Sequence, residues 1–169
     1  TAMAPILALL RTIVGRPTIH PVPFAITKLT LTVVLLAPAL HVAGVRIRSP
    51  LHGLAPLAVA LLVASFIVVV LAGRVLGRSA RIGLPDGATE LATTGIYRFC
   101  RHPMYLAIFL YAGASCLLCP HPAVLASAIV TCLLHHRIAL AEETFLAERF
   151  GAVWLEHMAR TPRYVGLPH

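Results

Sequence analysis

Four stretches of this chain are almost wholly apolar, with short polar or proline-bearing segments between them. The first runs from Phe24 to Gly44 and ends at Arg46, Arg48 and Pro50. The second, Leu54 to Leu76, ends in the Arg74, Arg78, Arg81 series. The third covers Met104 to Cys119, and the fourth, Ala123 to Leu140, follows directly behind Pro120-His121-Pro122. A helix needs about 20 predominantly apolar residues to cross a bilayer. The third run reaches only about 24 Å at the 1.5 Å rise of a helix, so the chain must turn straight back after it. Pro103 and Pro122 fall where the first turn of a helix tolerates proline, and they mark the starts of the last two runs.

The polar segments add the rest of the outline. A connection from Arg78 to Arg101, with turn signals at Gly83, Pro85-Asp86-Gly87 and Gly95, is the longest hydrophilic stretch and the expected place for site residues. Beyond the fourth run, Glu142 to Phe150 continues as helix, with Phe145, Leu146, Arg149 and Phe150 spaced for an amphipathic surface and Gly151 ending or kinking it. Trp154 and Tyr164 are expected at headgroup level, in a tail that packs back over the mouth of the bundle. Met3 to Val14 is apolar but short and broken by arginine, and is expected to lie in the interface. The pattern predicts an all-α integral membrane helical bundle. It has about four transmembrane helices, an N-terminal interfacial helix and a C-terminal amphipathic helix, with residues 1–169 forming one domain.

Composition agrees: 59% of residues are hydrophobic and 12% charged, against about a quarter charged in soluble domains. The net charge of +8 does not point to nucleic acid, because the arginines cluster between apolar runs, where they set topology. Of 14 Lys and Arg residues, all except Arg46 and Arg48 fall on the side shared by the N-terminus, the second connection and the tail, as do all six acidic residues. That side is expected to be cytoplasmic, giving a multi-pass protein with both termini and its working face in the cytoplasm. Cys100, Cys116, Cys119 and Cys132 read as small buried thiols, since the one CxxC, Cys116 with Cys119, has no second pair. His135-His136 diverge on a helix and read as interfacial packing, so no metal site is expected. Gly73-Arg-Val-Leu-Gly77 and Ala112-Gly-Ala-Ser115 read as places of close helix approach. Nothing in the sequence calls for a protein partner.

The chemistry gathers at two points. The third helix starts and the fourth ends on the same side, so a tight hairpin brings Arg101-His102-Pro103 close to Glu142-Glu143. His102 and Tyr105 are three residues apart and share a helix face. The helix start adds free N–H groups suited to a carboxylate or phosphate. The two glutamates offer negative charge to an ammonium or a sulfonium, and a ligand carrying both signs fits between the two clusters. Adjacent glutamates point about 100° apart, so one faces the site; the sequence does not say which. His102 has a plainer reading as a helix cap, and the arginines as topology anchors.

Leu91-Ala-Thr-Thr-Gly-Ile-Tyr97, Arg101-His-Pro-Met-Tyr105, Glu142-Glu-Thr-Phe-Leu146, Phe150-Gly151 and Pro162-Arg163, in this order, resemble the integral membrane methyltransferases. These include isoprenylcysteine carboxyl methyltransferases and phospholipid N-methyltransferases. The resemblance covers roughly residues 89 to 164. The RHPxY element alone also occurs in membrane sterol and steroid reductases that use NADPH. The chain departs from the family pattern at Ala107, where glycine is frequent, and at Trp154 and His157, which stand where tyrosines are usual.

The resemblance implies an S-adenosylmethionine-dependent enzyme. It implies cofactor contacts from Leu91, Thr94, Gly95 and Tyr97, from Arg101, His102, Pro103, Met104 and Tyr105, and from Glu142 and Glu143. It also places Arg163 near the substrate. The apolar part of that substrate is expected to enter from the lipid. The first expectation is carboxyl O-methylation of an isoprenylcysteine-like lipid, with Arg163, helped by Arg137 or His136, orienting the carboxylate. The alternative is N-methylation of a phospholipid amine, with Glu143 as the first candidate for the base. An NADPH-dependent sterol-type reductase is the second alternative.

Overall fold

Proline starts three of the five α-helices at their first positions: α1 (Pro21–Val42), α3 (Pro103–Leu118) and α4 (Pro122–Phe150). There the missing N–H has no partner to lose. The other two are α2 (Ala55–Leu76) and α5 (Ala152–Arg160). The structure, a computed structural model, describes residues 20–43, 52–76 and 91–166, and among them there is no strand. The expected interfacial helix at Met3 to Val14 and the Arg78 to Glu90 part of the polar connection lie outside the described residues.

Three helices are long and apolar enough to cross a membrane, namely α1 over Val22–His41, α2, and α4; α3 is apolar but shorter. The fourth apolar run and the amphipathic extension expected after it are one helix, 29 residues long. Its turn at Gly151, with φ 51°, is where the sequence places a break, and α5 follows at once.

The packing is that of a protein dissolved in lipid. The most buried side chains between the helices are small or hydroxylic: Ala58, Ser65, Ala107, Ala112, Ala114, Ser115, Thr27 and Thr131. Phe66, Leu29 and Leu133, by contrast, are more than half exposed. Apolar side chains gain little by leaving lipid, so small residues that let backbones approach closely take the contacts. α3 carries half of them and touches α1, α2 and α4, with its largest contact on α2.

Buried hydroxyls bond to carbonyls or to each other, as the dry interior requires. Ser65 donates to the carbonyl of Ala107 at 2.9 Å and Thr131 to the Thr30 hydroxyl at 2.9 Å, and at the surface Tyr111 donates to the carbonyl of Leu35 at 3.0 Å. One bond repairs a defect written into the sequence. Pro38 lies inside α1 and cannot donate to the carbonyl of Val34, four residues back. The Ser115 hydroxyl of α3 lies 2.9 Å from that carbonyl and 2.9 Å from the Tyr111 carbonyl of its own helix, so its one proton serves both. Ser115→Ala is therefore expected to strand a buried acceptor and cost about 1–3 kcal/mol, read as a lower unfolding midpoint in detergent. An unchanged midpoint would show that the carbonyl finds another donor.

Candidate functional site

Three histidines in this chain precede a helix-starting proline: His20, His102 and His121. The Nδ1 of His20 accepts from the Val22 N–H, and the Nδ1 of His121 from the Ala123 N–H, so each caps its own helix. His102 makes no such bond. With backbone angles of −126° and 62°, it turns its ring across to α4.

There His102 meets both glutamates. Its Nε2 lies 3.2 Å from Glu143 Oε1 and its Nδ1 3.6 Å from Glu142 Oε2. Tyr105, one turn along α3, stacks on the His102 ring at 5.5 Å and donates its hydroxyl to Glu142 at 2.6 Å. Arg163 binds Glu143 through two guanidinium nitrogens, Nε at 2.9 Å and Nη2 at 2.7 Å. Two parallel bonds of this kind are the strongest geometry an arginine offers a carboxylate. Arg101 adds a second guanidinium, with Nη1 3.6 Å from Glu143.

The tail is held in place by its backbone. Arg101 N–H donates to the Pro162 carbonyl at 3.0 Å and His102 N–H to that of Arg163 at 3.1 Å; the Thr161 hydroxyl donates to the carbonyl of Arg98 at 3.3 Å. Of the two, only the His102 N–H belongs to the free N–H groups at the start of α3, and it holds the tail. Beyond Glu143, α4 runs a further seven residues to Phe150, about 10 Å at 1.5 Å per residue. The cluster therefore lies about two turns before the end of α4.

Burial dominates the electrostatics outside the spans. It works against the charge on Arg101, whose side chain is 1% exposed, and Glu143 is the nearby charge that offsets this. The Nε and Nη1 of Arg101 have no hydrogen-bond partner. The hydrogen bond to Glu143 strengthens the hold of Arg163 on its proton. Burial pushes the Tyr97 phenol well above its ordinary value, the Cys100 thiol up to about 11 and the Tyr164 phenol up to about 12. All three stay protonated at neutral pH.

The other residues singled out in the sequence lie around this cluster or away from it. Pro103 is fully buried, and Tyr97 is buried within a 3₁₀ turn over Gly95–Arg98. Thr94 precedes that turn and gives its carbonyl to Tyr97 N–H at 3.1 Å; Leu91 is half-buried at the start of the segment. Gly95 has φ 56°, and a Cβ there would stand 2.6 Å from Val75 Cγ2. Gly95→Ala is thus expected to cost about 1–2 kcal/mol in backbone conformation alone, plus displacement of Val75. A lower unfolding midpoint with weaker ligand binding would show it. Met104 and Arg137 are exposed, and the structure does not bring either into the cluster.

Two aromatic residues sit elsewhere than the sequence suggested. Trp154, on α5, is 2% exposed and turned into the protein, not out among headgroups. Tyr164 packs into the site: its ring is 5.0 Å from Phe109 and 6.4 Å from His102, and its hydroxyl is 3.1 Å from His136 Nδ1. Its position next to Arg163 was the one available signal. His135 is buried, with Nδ1 2.8 Å from the Thr131 carbonyl and its ring 5.5 Å from Tyr105. Among the described residues no group of three His, Cys, Asp or Glu is placed to hold a metal ion, and all four cysteines are unpaired.

A family model described as phospholipid methyltransferase matches residues 54–153. The match takes in His102, Tyr105 and both glutamates and stops short of Arg163. No curated protein and no solved structure matches the chain.

Proposed function

From the premise that this chain belongs to the phospholipid methyltransferase family and is a membrane methyltransferase, we propose that it moves a methyl group from S-adenosylmethionine to a lipid-tailed acceptor at the bilayer surface. One observation carries the reading: His102, Tyr105, Glu142, Glu143, Arg101 and Arg163 converge in one cluster where α3, α4 and the tail meet.

The donor set suits this cofactor. Arg101 has two buried donors without partners, and these would take its carboxylate. Glu143 is answered by Arg163, whereas Glu142 has only the neutral Tyr105 phenol and the His102 ring. Glu142 is therefore the carboxyl with no arginine of its own, and the one left to meet its ammonium. When bound, the cofactor supplies a methyl group on a sulfonium already activated for displacement. The chain supplies orientation, and orienting two reactants contributes about 7–11 kcal/mol in favourable cases. Tyr164 against Phe109 closes one wall with aromatic rings and keeps water out.

For the acceptor we favour a carboxylate, as in an isoprenylcysteine-like lipid. Arg163 turns Nε and Nη2 to Glu143 and keeps 24% of its side chain exposed, which leaves Nη1 for a substrate oxygen. Such a nucleophile is already anionic and needs no base. His136, bonded to Tyr164, is tied to the tail that carries Arg163, while exposed Arg137 has no such tie. An amine headgroup is the second reading, favoured by the family description. It must lose a proton first. Arg163 and His102 take up the Glu143 oxygens, so Glu142, bonded to Tyr105, has more room to accept that proton.

The deciding experiment is calorimetric titration of the detergent-purified chain with S-adenosylhomocysteine, with NADPH in parallel. Saturable binding of the first alone is expected; binding of NADPH alone would move the same residues to reductase chemistry. Prenylcysteine and phosphatidylethanolamine acceptors then separate the two lipid readings. With a carboxylate acceptor, Arg163→Ala should lower turnover roughly 10- to 100-fold and S-adenosylhomocysteine affinity less. Equal losses would place Arg163 in the cofactor site.

A further inference from the structure

Outside the cluster a cleft, of about 430 Å³, lies between α5 and the segment that precedes α3. Its polar lining is Thr93, Arg98, Glu156, His157, Arg160 and Thr161, and none of these belongs to the His102 cluster. The volume is within the range of ligand sites, about 300–1,000 Å³.

The lining carries a positive excess. Arg98 and Arg160 face a single carboxylate, Glu156, which is paired with Arg160 at 2.5 Å one turn back along α5. Both partners of that pair are more than half exposed, so the pairing is weak and open to exchange. The Arg98 guanidinium has no hydrogen bond or ion pair among the described residues. Burial and the nearby Arg101 both hold His157 below the ordinary imidazole value, so at neutral pH it adds a hydrogen-bonding ring and no charge. Thr93 and Thr161 add hydroxyls to the same wall.

The rim decides between a dissolved anion and a lipid. Val153, in the cleft lining, is 61% exposed, and Phe99, next to Arg98, is 71% exposed. Neither residue belongs to a span. Large apolar side chains beside guanidinium groups form the amphipathic edge that settles at the boundary of headgroups and acyl chains. A site for a soluble phosphate has no use for that rim.

We propose that this cleft binds the headgroup of a bilayer phospholipid of net negative charge, at a place separate from methyl transfer. The phosphate sits between Arg98 and Arg160, and the acyl chains leave past Phe99 and Val153. Because the Thr161 hydroxyl bonds the Arg98 carbonyl, and Pro162 and Arg163 next bond Arg101 and His102, an occupied cleft braces the tail that carries Arg163. The proposal requires only that this end of the bundle lie at a membrane surface; it stands whichever lipid is methylated.

The test uses the full chain in phosphatidylcholine nanodiscs with and without phosphatidylglycerol, reading the unfolding midpoint and, by native mass spectrometry, the lipid retained after extraction. Phosphatidylglycerol should raise the midpoint. The Arg98→Gln/Arg160→Gln double variant should lose that rise, keep its midpoint in phosphatidylcholine alone, and retain phosphatidylglycerol roughly thirtyfold less well. Glu156→Gln should increase retention, and Arg98→Lys, which keeps the charge, should preserve most of it should the double variant fold poorly. No response in the native chain, an equal response in the double variant, or the same stabilisation from soluble glycerol phosphate in phosphatidylcholine nanodiscs would each overturn the proposal.

Discussion

Glu143→Ala is expected to be the most damaging single substitution in the chain. Glu143 is 7% exposed and accepts two bonds from Arg163 and one contact from His102, with the buried Arg101 close by. Without the carboxylate, the Arg101 and Arg163 guanidinium groups lose the anion they share. Removing one member of a buried ion pair costs about 3–5 kcal/mol, and here it also frees the tail, since Arg163 loses both its side-chain bonds. The unfolding midpoint should fall sharply and S-adenosylhomocysteine binding should disappear. Glu143→Gln, which keeps the shape and one acceptor oxygen, should fold better than Glu143→Ala and still bind poorly. Near-native binding by Glu143→Gln would show that its charge has no part in the site.

His102→Ala is the second large effect, and it separates site from scaffold. His102 Nε2 reaches Glu143 and Nδ1 reaches Glu142, and its ring stacks on Tyr105. It does not cap α3, so its removal leaves the helix start intact, with Pro103 and both backbone bonds to the tail unchanged. Stability should fall by about 1–2 kcal/mol, the scale of a hydrogen bond to a charged group, while S-adenosylhomocysteine affinity falls by an order of magnitude or more. A double-mutant cycle with Glu143→Gln should give a coupling of about 0.5–3 kcal/mol. Additive effects would mean that the two residues act separately. The same substitution at His121, which caps α4, should cost stability and leave ligand binding alone.

Much of this was legible along the chain because the bilayer imposes few and strict rules. The apolar runs marked α1, α2, α3 and α4 to within a few residues. The prolines at 103 and 122 marked helix starts, and Gly151 marked the break before α5. The shortness of α3, only 16 residues, forced the hairpin that brings His102 to Glu143. The continuation of α4 through Glu142-Glu143 to Phe150 was legible too, in the spacing of Phe145, Leu146, Arg149 and Phe150. The places of Trp154 and Tyr164 were not. An aromatic near a membrane end suits both headgroups and a packed interior, and only the path of the tail distinguishes them.

The sequence by itself determined the class, the helices, the hairpin and the set of residues that meet at one end of the bundle, because hydrophobic length and proline placement are local properties of the chain. The tertiary structure alone decided three matters. Of three histidines in identical His-Pro settings, His20 and His121 cap their helices and His102 turns to the glutamates. Of two adjacent glutamates, Glu143 takes Arg163 and Glu142 takes Tyr105. Of the hydroxyls on α3, it is Ser115 that answers the carbonyl left open by Pro38. Each choice depends on which partner a neighbouring helix or the returning tail brings within about 3 Å, the range of a hydrogen bond, and that distance is a property of the packed bundle.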